Sequence, residues 1–318
     1  MKITVIGCGR WGSFIAWYLH RQRMEVTLYG RETSPSYKAF VDTRTNGQVT
    51  LPSDIGLTTD LAAVAEGDII VISIGSQGLR GLMAELAPLG LMGKTFVLCM
   101  KGIEVESGKR LSQIVAEHTH ETNRVMVWLG PGHVEEFLNG VPNCMVIDGV
   151  DQEEKERLVG VLSSDLIRFY YGNDLIGNEV GAAAKNVIGI AAGLLDGFGL
   201  SALKGALMAR GTREIARLIK AMGGDERSAY GLCHLGDYEA TVFSPHSKNR
   251  RFGECIITGE AFSGLAEGYY TVAALMGLKN QYMVDLPISQ AVYRVLYEKA
   301  DPRETLNGLF LRSIKQEF

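Results

Sequence analysis

Residues 2–12 read KITVIGCGRWG, and this stretch decides the class of fold that we predict for the chain. The apolar run from Lys2 to Ile6 predicts a short strand, and three glycines follow it at the spacing of a dinucleotide-binding turn. Gly7 allows a tight turn, Gly9 lets the backbone approach a pyrophosphate, and Gly12 lets a helix pack on the strand. A purely structural glycine turn is the alternative, but the strand before the motif and the helix after it favour dinucleotide binding.

Strand and helix patterns alternate from residue 2 to residue 171. Near-continuous apolar runs such as DIIVISI (68–74) are typical of buried parallel strands. The pattern predicts an α/β fold whose N-terminal part is a doubly wound (Rossmann) parallel sheet. Ligands bind beyond the carboxyl ends of such strands, which directs attention to residues 75–77, 101–102 and 130–132.

The alternation stops after Gly172, and helical patterns follow. We therefore predict two domains: a dinucleotide-binding domain over residues 1–174 and an all-helical substrate domain over residues 175–318. Residues 232–259 contain no regular pattern and predict a long irregular loop.

Arg31 stands just after the second strand, where a site that prefers NAD usually offers an acid to the ribose. An arginine suits a 2′-phosphate instead, so NADP is favoured over NAD. The alternatives are that the neighbouring Glu32 turns inward or that Arg31 is a solvated loop residue.

Residues 177–199, GNEVGAAAKNVIGIAAGLLDGFG, predict a helix of small and apolar residues that carries a single cation, Lys185. Burying that ammonium without a partner costs several kcal/mol, so the lysine should lose its charge, find an anion or face a cleft. Desolvation would lower its pKa and make it a proton acceptor near neutral pH. A lysine that snorkels to solvent or pairs with Glu179 is the alternative.

Two further basic segments are candidates for function. Lys101 follows an apolar strand and should lie beside the nicotinamide, although a surface loop lysine has the same pattern. His246-Ser247-Lys248-Asn249-Arg250-Arg251 is a candidate phosphate receptor, with a solvated basic turn as the alternative.

Composition narrows the class of protein. The chain has 318 residues, 46% of them hydrophobic, and a net charge of -4, which argues against nucleic acid as a main partner. The five cysteines are scattered without a CxxC pair, so neither disulfides nor a metal site are suggested. No signal peptide or membrane span is evident, and we expect a cytoplasmic protein without stable membrane insertion. A homodimer is compatible with the sequence.

Several motifs together resemble the NAD(P)-dependent glycerol-3-phosphate dehydrogenase family nearly end to end. They are GCGRWG (7–12), IGSQGLR (74–80), MKGIE (100–104), GPG with its following EE (130–136), GAAAKNVIGIAAGLLDGFG (181–199), GD (236–237), SKNRRFG (247–253), AEG (266–268) and PISQAVYRVLYE (287–298). The resemblance implies an enzyme that interconverts dihydroxyacetone phosphate and sn-glycerol 3-phosphate with NADP or NAD, for glycerophospholipid synthesis.

The resemblance also implies roles for individual residues. The catalytic set is Lys185, Lys101 and Asp237. The substrate-binding set is Lys101, Gly130, Lys185, Asn186, Asp237, Ser247, Lys248 and Asn249. The cofactor-binding set is Gly7, Gly9, Arg10, Trp11, Gly12, Arg31, Lys101, Val134, Lys248 and Glu267.

Three departures from the family pattern keep other substrates open. The family usually has serine at the position of Gly132, arginine at that of Lys248, and a GDNT-like segment where residues 200–204 read LSALK. Lysine lacks the planar fork that grips a phosphate. Another polyol-phosphate or hydroxyacid dehydrogenase, or a non-catalytic NADPH-sensing protein, is therefore an alternative.

Overall fold

The computed structural model describes residues 1–314 and 316. The chain forms two compact units, the first made of Met1–Lys101 and Lys109–Glu179, the second of Gly102–Gly108 and the described chain from Val180 onward. The predicted domain limits, 1–174 and 175–318, stay a prediction.

The first unit is built on one eight-stranded sheet. Its strands are β1 (Lys2–Ile6), β2 (Glu25–Tyr29), β3 (Gly56–Thr58), β4 (Ile69–Ile72), β5 (Thr95–Leu98), β6 (Arg124–Leu129), β7 (Asn143–Gly149) and β8 (Ile167–Tyr171). The strand order is β3-β2-β1-β4-β5-β6-β7-β8. The order reverses between β1 and β4, so the predicted doubly wound topology is confirmed and its switch point lies beside the glycine turn.

Helices connect and cover these strands. They are α1 (Arg10–Arg21), α2 (Pro35–Thr43), α3 (Leu79–Leu86), α4 (Leu111–His118), α5 (Val134–Leu138) and α6 (Gln152–Leu162). Phe14 of α1 and Trp128 of β6 are fully buried in the core between sheet and helices. The central strands β4 and β5 have every residue buried, as parallel strands covered on both faces should.

One pair of strands differs from the predicted parallel sheet, because β6 and β7 run antiparallel. The connection between them, residues 130–142, contains the five-residue helix α5. The sheet is therefore mixed at this point and not wholly parallel.

The second unit is helical. Its helices are α7 (Leu175–Gly197), α8 (Lys204–Ala221), α9 (Lys248–Thr258), α10 (Glu267–Gln281), α11 (Pro287–Tyr297) and α12 (Pro302–Phe310). The first residues of α7, up to Glu179, belong to the first unit. Asp301 caps α12 by accepting from the Glu304 amide at 2.8 Å.

Glycines let α7 and α9 approach each other closely. A Cβ at Gly193 of α7 would lie 1.9 Å from the Arg250 carbonyl oxygen, and one at Gly253 of α9 would lie 2.1 Å from the Ile190 carbonyl oxygen. The small residues of α7 therefore serve helix packing.

One prediction for the second unit was wrong. Residues 232–259 are not an irregular loop, since they contain a 3-10 turn, a π-helical turn at Glu239–Phe243 and the helix α9. Among the described residues, no helix has both the length and the apolar run needed to cross a bilayer.

Candidate active site

Lys185 is buried in the second unit beside two oxygen atoms. Its Nζ lies 2.9 Å from Asp237 Oδ2 and donates to Thr241 Oγ1 at 2.7 Å. Only 9% of the Lys185 side chain and 1% of the Asp237 side chain are exposed. The nearby carboxylate favours the ammonium form of the lysine and offsets its desolvation. The sequence predicts that Lys185 loses its charge, pairs with an anion or faces a cleft. The structure shows it paired with an anion, which is Asp237 and not Glu179.

Thr241 orients the pair. Its hydroxyl donates to the Asp237 carbonyl oxygen at 2.7 Å, so the oxygen lone pairs are left to accept from Lys185. Thr241 stands four residues after Asp237, on the π-helical turn, which places both side chains on the same side. A Cβ at Gly189 would lie 2.6 Å from the Thr241 methyl group. Thr241 can therefore pack against α7 because position 189 has no side chain.

A buried histidine, His234, connects α7 to the segment that carries Asp237. Nδ1 of His234 donates to the Gly181 carbonyl oxygen at 2.8 Å, and the Tyr238 hydroxyl donates to Nε2 at 2.8 Å. Burial lowers the pKa of His234 to about 4, so the imidazole is neutral at pH 7. A neutral imidazole has one donor and one acceptor nitrogen; Nδ1 must donate to the carbonyl oxygen, so Nε2 accepts from Tyr238. The neutral ring joins α7 to the 3-10 turn, Leu235–Asp237, that carries the catalytic candidate Asp237.

The predicted phosphate receptor lies at the start of α9. Ser247 is the N-cap residue and accepts from the Arg250 amide, while Lys248 is the first helical residue and is exposed. An exposed ammonium at a helix N-terminus suits an anion, because the terminal amides carry positive partial charge. Arg250 itself is held by Asp196, with Nε and Oδ2 2.5 Å apart.

Asn249 connects three helices. Its Nδ2 donates to Asn186 Oδ1 on α7 at 3.0 Å, and its Oδ1 accepts from the Gly268 amide of α10 at 2.9 Å. Glu267, a predicted cofactor residue, is the first residue of α10. The structure therefore brings Asn186, Asn249 and the start of α10 together, although they are distant in sequence.

The glycine turn of the first unit has the predicted geometry. Gly7 has φ +118°, and a Cβ there would lie 2.1 Å from the Ser73 carbonyl oxygen. A Cβ at Gly12 would lie 2.1 Å from the Gly7 carbonyl oxygen, whereas a Cβ at Gly9 would meet nothing within 4 Å. The start of α1 has no side-chain cap and no acid in its first turn. Open space beside Gly9 and uncapped amides fit the pyrophosphate of a dinucleotide.

Other predicted cofactor residues lie on α1 and α5. Trp11 is half-buried and packs 5.2 Å, centroid to centroid, from Phe14. Arg10 pairs with Glu135 of α5 at 3.3 Å. Val134 begins α5 and is fully buried.

Two charged residues of the first unit have partners that the sequence did not reveal. Lys101 Nζ donates to the Gly130 carbonyl oxygen at 2.7 Å, which joins two predicted substrate residues. Arg31 pairs with Glu85 of α3 at 2.7 Å, and its side chain is 62% exposed. Exposed pairs of this kind contribute about 0–1 kcal/mol, so a bound phosphate can compete for Arg31.

The structure gives a reason for one of the departures in sequence. Gly132 has φ +143°, and a Cβ there would lie 2.3 Å from the Phe137 ring. Phe137 in turn stacks on Phe14, with ring centroids 5.1 Å apart. The ring of Phe137 occupies the space into which a side chain at position 132 would extend, so glycine here is a packing requirement.

Sequence reasoning missed Thr241, His234 and Tyr238. Thr241 had a detectable signal, since it follows Asp237 at helical spacing, but the segment was predicted to be irregular. His234 and Tyr238 are also four residues apart. Neither pair predicts a contact with α7, because that contact joins residues more than fifty positions apart.

The sheet topology and the glycine turn place the chain in the class of doubly wound dinucleotide-binding proteins. Comparison with known proteins is more specific. Residues 2–155 match the N-terminal model, and residues 174–307 the C-terminal model, of NAD-dependent glycerol-3-phosphate dehydrogenase. The chain belongs to this family of oxidoreductases, as the motifs predicted.

Individual relatives agree with the family models. The chain is 35% identical to the glycerol-3-phosphate dehydrogenase [NAD(P)+] of Prosthecochloris aestuarii, with all of both chains covered. It is 36% identical to that of a Thermotoga species, over 100% of this chain and 99% of the relative. The crystal structure of glycerol-3-phosphate dehydrogenase from Coxiella burnetii superposes with a TM-score of 0.90 at 26% identity, covering 98% and 99% of the two chains.

Proposed function

We propose that this protein interconverts dihydroxyacetone phosphate and sn-glycerol 3-phosphate by hydride transfer with NADPH or NADH. The single observation that carries the proposal is the buried Lys185–Asp237 pair, in which an ammonium is held 2.9 Å from a carboxylate inside the helical unit. Family membership and the NAD(P)+-dependent relatives support the same activity.

Lys185 is the proton donor in the direction of reduction. When bound, the reduced nicotinamide supplies the hydride that adds to the C2 carbon of the ketone. The ammonium of Lys185 gives a proton to the carbonyl oxygen as the carbon–oxygen double bond becomes an alcohol, and in the reverse direction the amine takes that proton back. Asp237 and Thr241 hold the Lys185 nitrogen in place. The predicted fall in the pKa of Lys185 stays a prediction.

Lys101 and the start of α9 hold the phosphorylated substrate in this proposal. Lys248 supplies a point charge, and Ser247 and Asn249 flank it at the helix N-terminus. Gly130 and Asn186 complete the substrate set. Because lysine replaces the arginine usual in the family, we expect weaker phosphate binding without the bidentate grip.

NADP is the favoured cofactor in this proposal. Gly7, Gly9 and Gly12 position the pyrophosphate in this proposal. The predicted cofactor set also includes Arg10, Trp11, Val134 and Glu267. Arg31 would receive the 2′-phosphate, exchanging Glu85 for a doubly charged anion.

We further propose that the enzyme works in the cytoplasm as a homodimer and supplies glycerophospholipid synthesis. The family and the reaction support the metabolic role. Sedimentation of the purified protein tests the dimer.

Steady-state kinetics test the activity. Purified protein is assayed for oxidation of NADPH and, separately, NADH with dihydroxyacetone phosphate. We expect turnover with both and a higher kcat/KM with NADPH. A panel of other phosphorylated ketones tests the alternative substrates, and cofactor binding without turnover on any ketone would establish the sensing alternative.

Substitution of Lys185 tests its role. We expect Lys185→Met to lower kcat by roughly 10²–10⁴-fold, the usual contribution of a positioned acid, while the affinity for NADPH measured by fluorescence is unchanged. Removing one partner of a buried pair destabilises by about 3–5 kcal/mol, so the double variant Lys185→Met/Asp237→Asn is made in parallel to keep the fold.

Lys204 provides a matched control in the same unit. It is also a buried lysine that pairs with an aspartate, Asp196, at 2.7 Å, but it has no role in the proposed chemistry. Lys204→Met should lose stability and keep kcat. Equal losses of turnover in the Lys204 and Lys185 variants would refute a chemical role for Lys185.

A further inference from the structure

The second unit contains a cavity separate from Lys185 and its partners. It has a volume of about 880 Å³ and lies among α7, α8, α11 and α12. Its walls are mainly aliphatic and aromatic, and include Leu195, Phe198, Leu207, Val292, Val295 and Leu306. Ligand sites are typically about 300–1,000 Å³ and mostly apolar, whereas protein interiors keep few voids larger than a water molecule.

Positive side chains outnumber negative ones in the lining of this cavity. Among the lining residues that the structure describes, four are arginines and one is an acid, Asp285. Asp285 already pairs with Arg312 at 2.6 Å. Arg210, Arg213 and Arg217 recur at intervals of three and four along α8, so they share one face of that helix. Guanidinium groups at the edge of an apolar cavity are complementary to a carboxylate or another anionic head group.

Exposed apolar side chains surround the cavity. Met283, which has φ 51°, is 92% exposed, and Phe310 is 65% exposed, although both contribute to the lining. Leu311, next to Phe310, is 86% exposed. Large apolar side chains left in water beside a cavity are typical of a surface that an apolar ligand covers.

We propose that this cavity binds a single-chain anionic amphiphile such as a fatty carboxylate. The alkyl chain lies among the apolar residues of α7, α11 and α12, and the carboxylate contacts Arg210 and Arg213. The site is independent of the proposed reaction, since none of its lining residues belongs to the predicted catalytic, substrate or cofactor sets.

Binding is tested with the full-length protein and a fluorescent fatty acid, 11-(dansylamino)undecanoic acid. We expect saturable binding and displacement by laurate. Dodecyltrimethylammonium has the same chain length with the opposite charge, and we expect it to displace the probe at least 10-fold less well below its micelle concentration.

Variants locate the site. Arg210→Gln/Arg213→Gln should weaken laurate binding at least 10-fold, and Ala291→Trp, which fills the cavity from α11, should abolish probe binding. Arg294→Gln is the control, because Arg294 is an exposed arginine of α11 that pairs with Glu298 outside the cavity. Thermal melting checks that each variant is folded, and the exposed position of Arg210 makes Arg210→Gln alone a safe second variant.

Several outcomes would overturn the proposal. They are the absence of saturable binding, equal displacement by the two amphiphiles, and binding that survives Ala291→Trp. Sedimentation distinguishes a second copy of the chain as the occupant: a dimer that excludes the probe and dissociates on Ala291→Trp would assign this surface to self-association instead.

Discussion

At the scale of single residues, the candidate site depends on a threonine that holds a lysine. Thr241 uses its hydroxyl hydrogen on the Asp237 carbonyl oxygen and its lone pairs on Lys185. A hydrogen bond to a charged group contributes about 1.5–3 kcal/mol, so this contact is large enough to influence turnover.

We expect Thr241→Val to lower kcat about 10- to 100-fold, because the isosteric methyl group cannot accept from the ammonium. Thr241→Ser keeps the hydroxyl and should stay within about threefold of the parent. Steady-state assays with dihydroxyacetone phosphate measure both, and the KM for NADPH should not change. Full activity of the valine variant would show that Asp237 alone positions Lys185.

At the scale of secondary-structure elements, glycines decide how α7 meets α9. Gly193 and Gly253 face each other's helix backbone, and even a methyl group at either would overlap a carbonyl oxygen. The contact matters for the site, because α9 carries Ser247, Lys248 and Asn249 at its start and α7 carries Lys185.

We expect Gly193→Ala to lower the free energy of unfolding by about 3 kcal/mol, since the helices must separate to admit the Cβ. Gly277→Ala is the matched control, because Gly277 lies inside α10 with nothing within 4 Å of an added Cβ. That control should raise the free energy of unfolding by about 0.5–1 kcal/mol through helix propensity. Urea denaturation compares the two, and similar effects in both would contradict the close packing.

At the scale of the whole molecule, the neutral His234 makes stability depend on pH. Burial lowers the pKa of His234 to about 4 in the folded protein, against an ordinary value near 6.5 in the unfolded chain. As the pH falls from 6.5 to 4, the unfolded chain binds a proton that the folded protein does not. The contribution of His234 to the free energy of unfolding is therefore fully present above pH 6.5 and is lost as the pH falls towards 4.

We expect this residue to remove roughly 3 kcal/mol from the free energy of unfolding between pH 6.5 and pH 4. Glu214, whose pKa burial raises, acts in the opposite direction, so the measurement needs a comparison with a variant. His234→Gln lacks the titrating group, and its unfolding free energy should fall less steeply over this range. Parallel profiles for parent and variant would contradict a neutral buried histidine.

Sequence patterns were sufficient for much of the architecture and for several site residues. The strand β1, the glycine turn after it and the lysine-bearing helix were all predicted, because each is encoded by neighbouring residues. Periodicity, glycine spacing and an isolated charge are local signals. The resemblance to the family, carried by its motifs, named Asp237 and Asn249 as candidate site residues.

Only the tertiary structure decided which residues are partners. It paired Lys185 with Asp237 and Thr241, Arg31 with Glu85, and Asn186 with Asn249. It also set β6 and β7 antiparallel and gave residues 232–259 their helical turns. The physical reason is the same in each case: hydrogen bonds and ion pairs between distant segments depend on packing, which local propensity does not record.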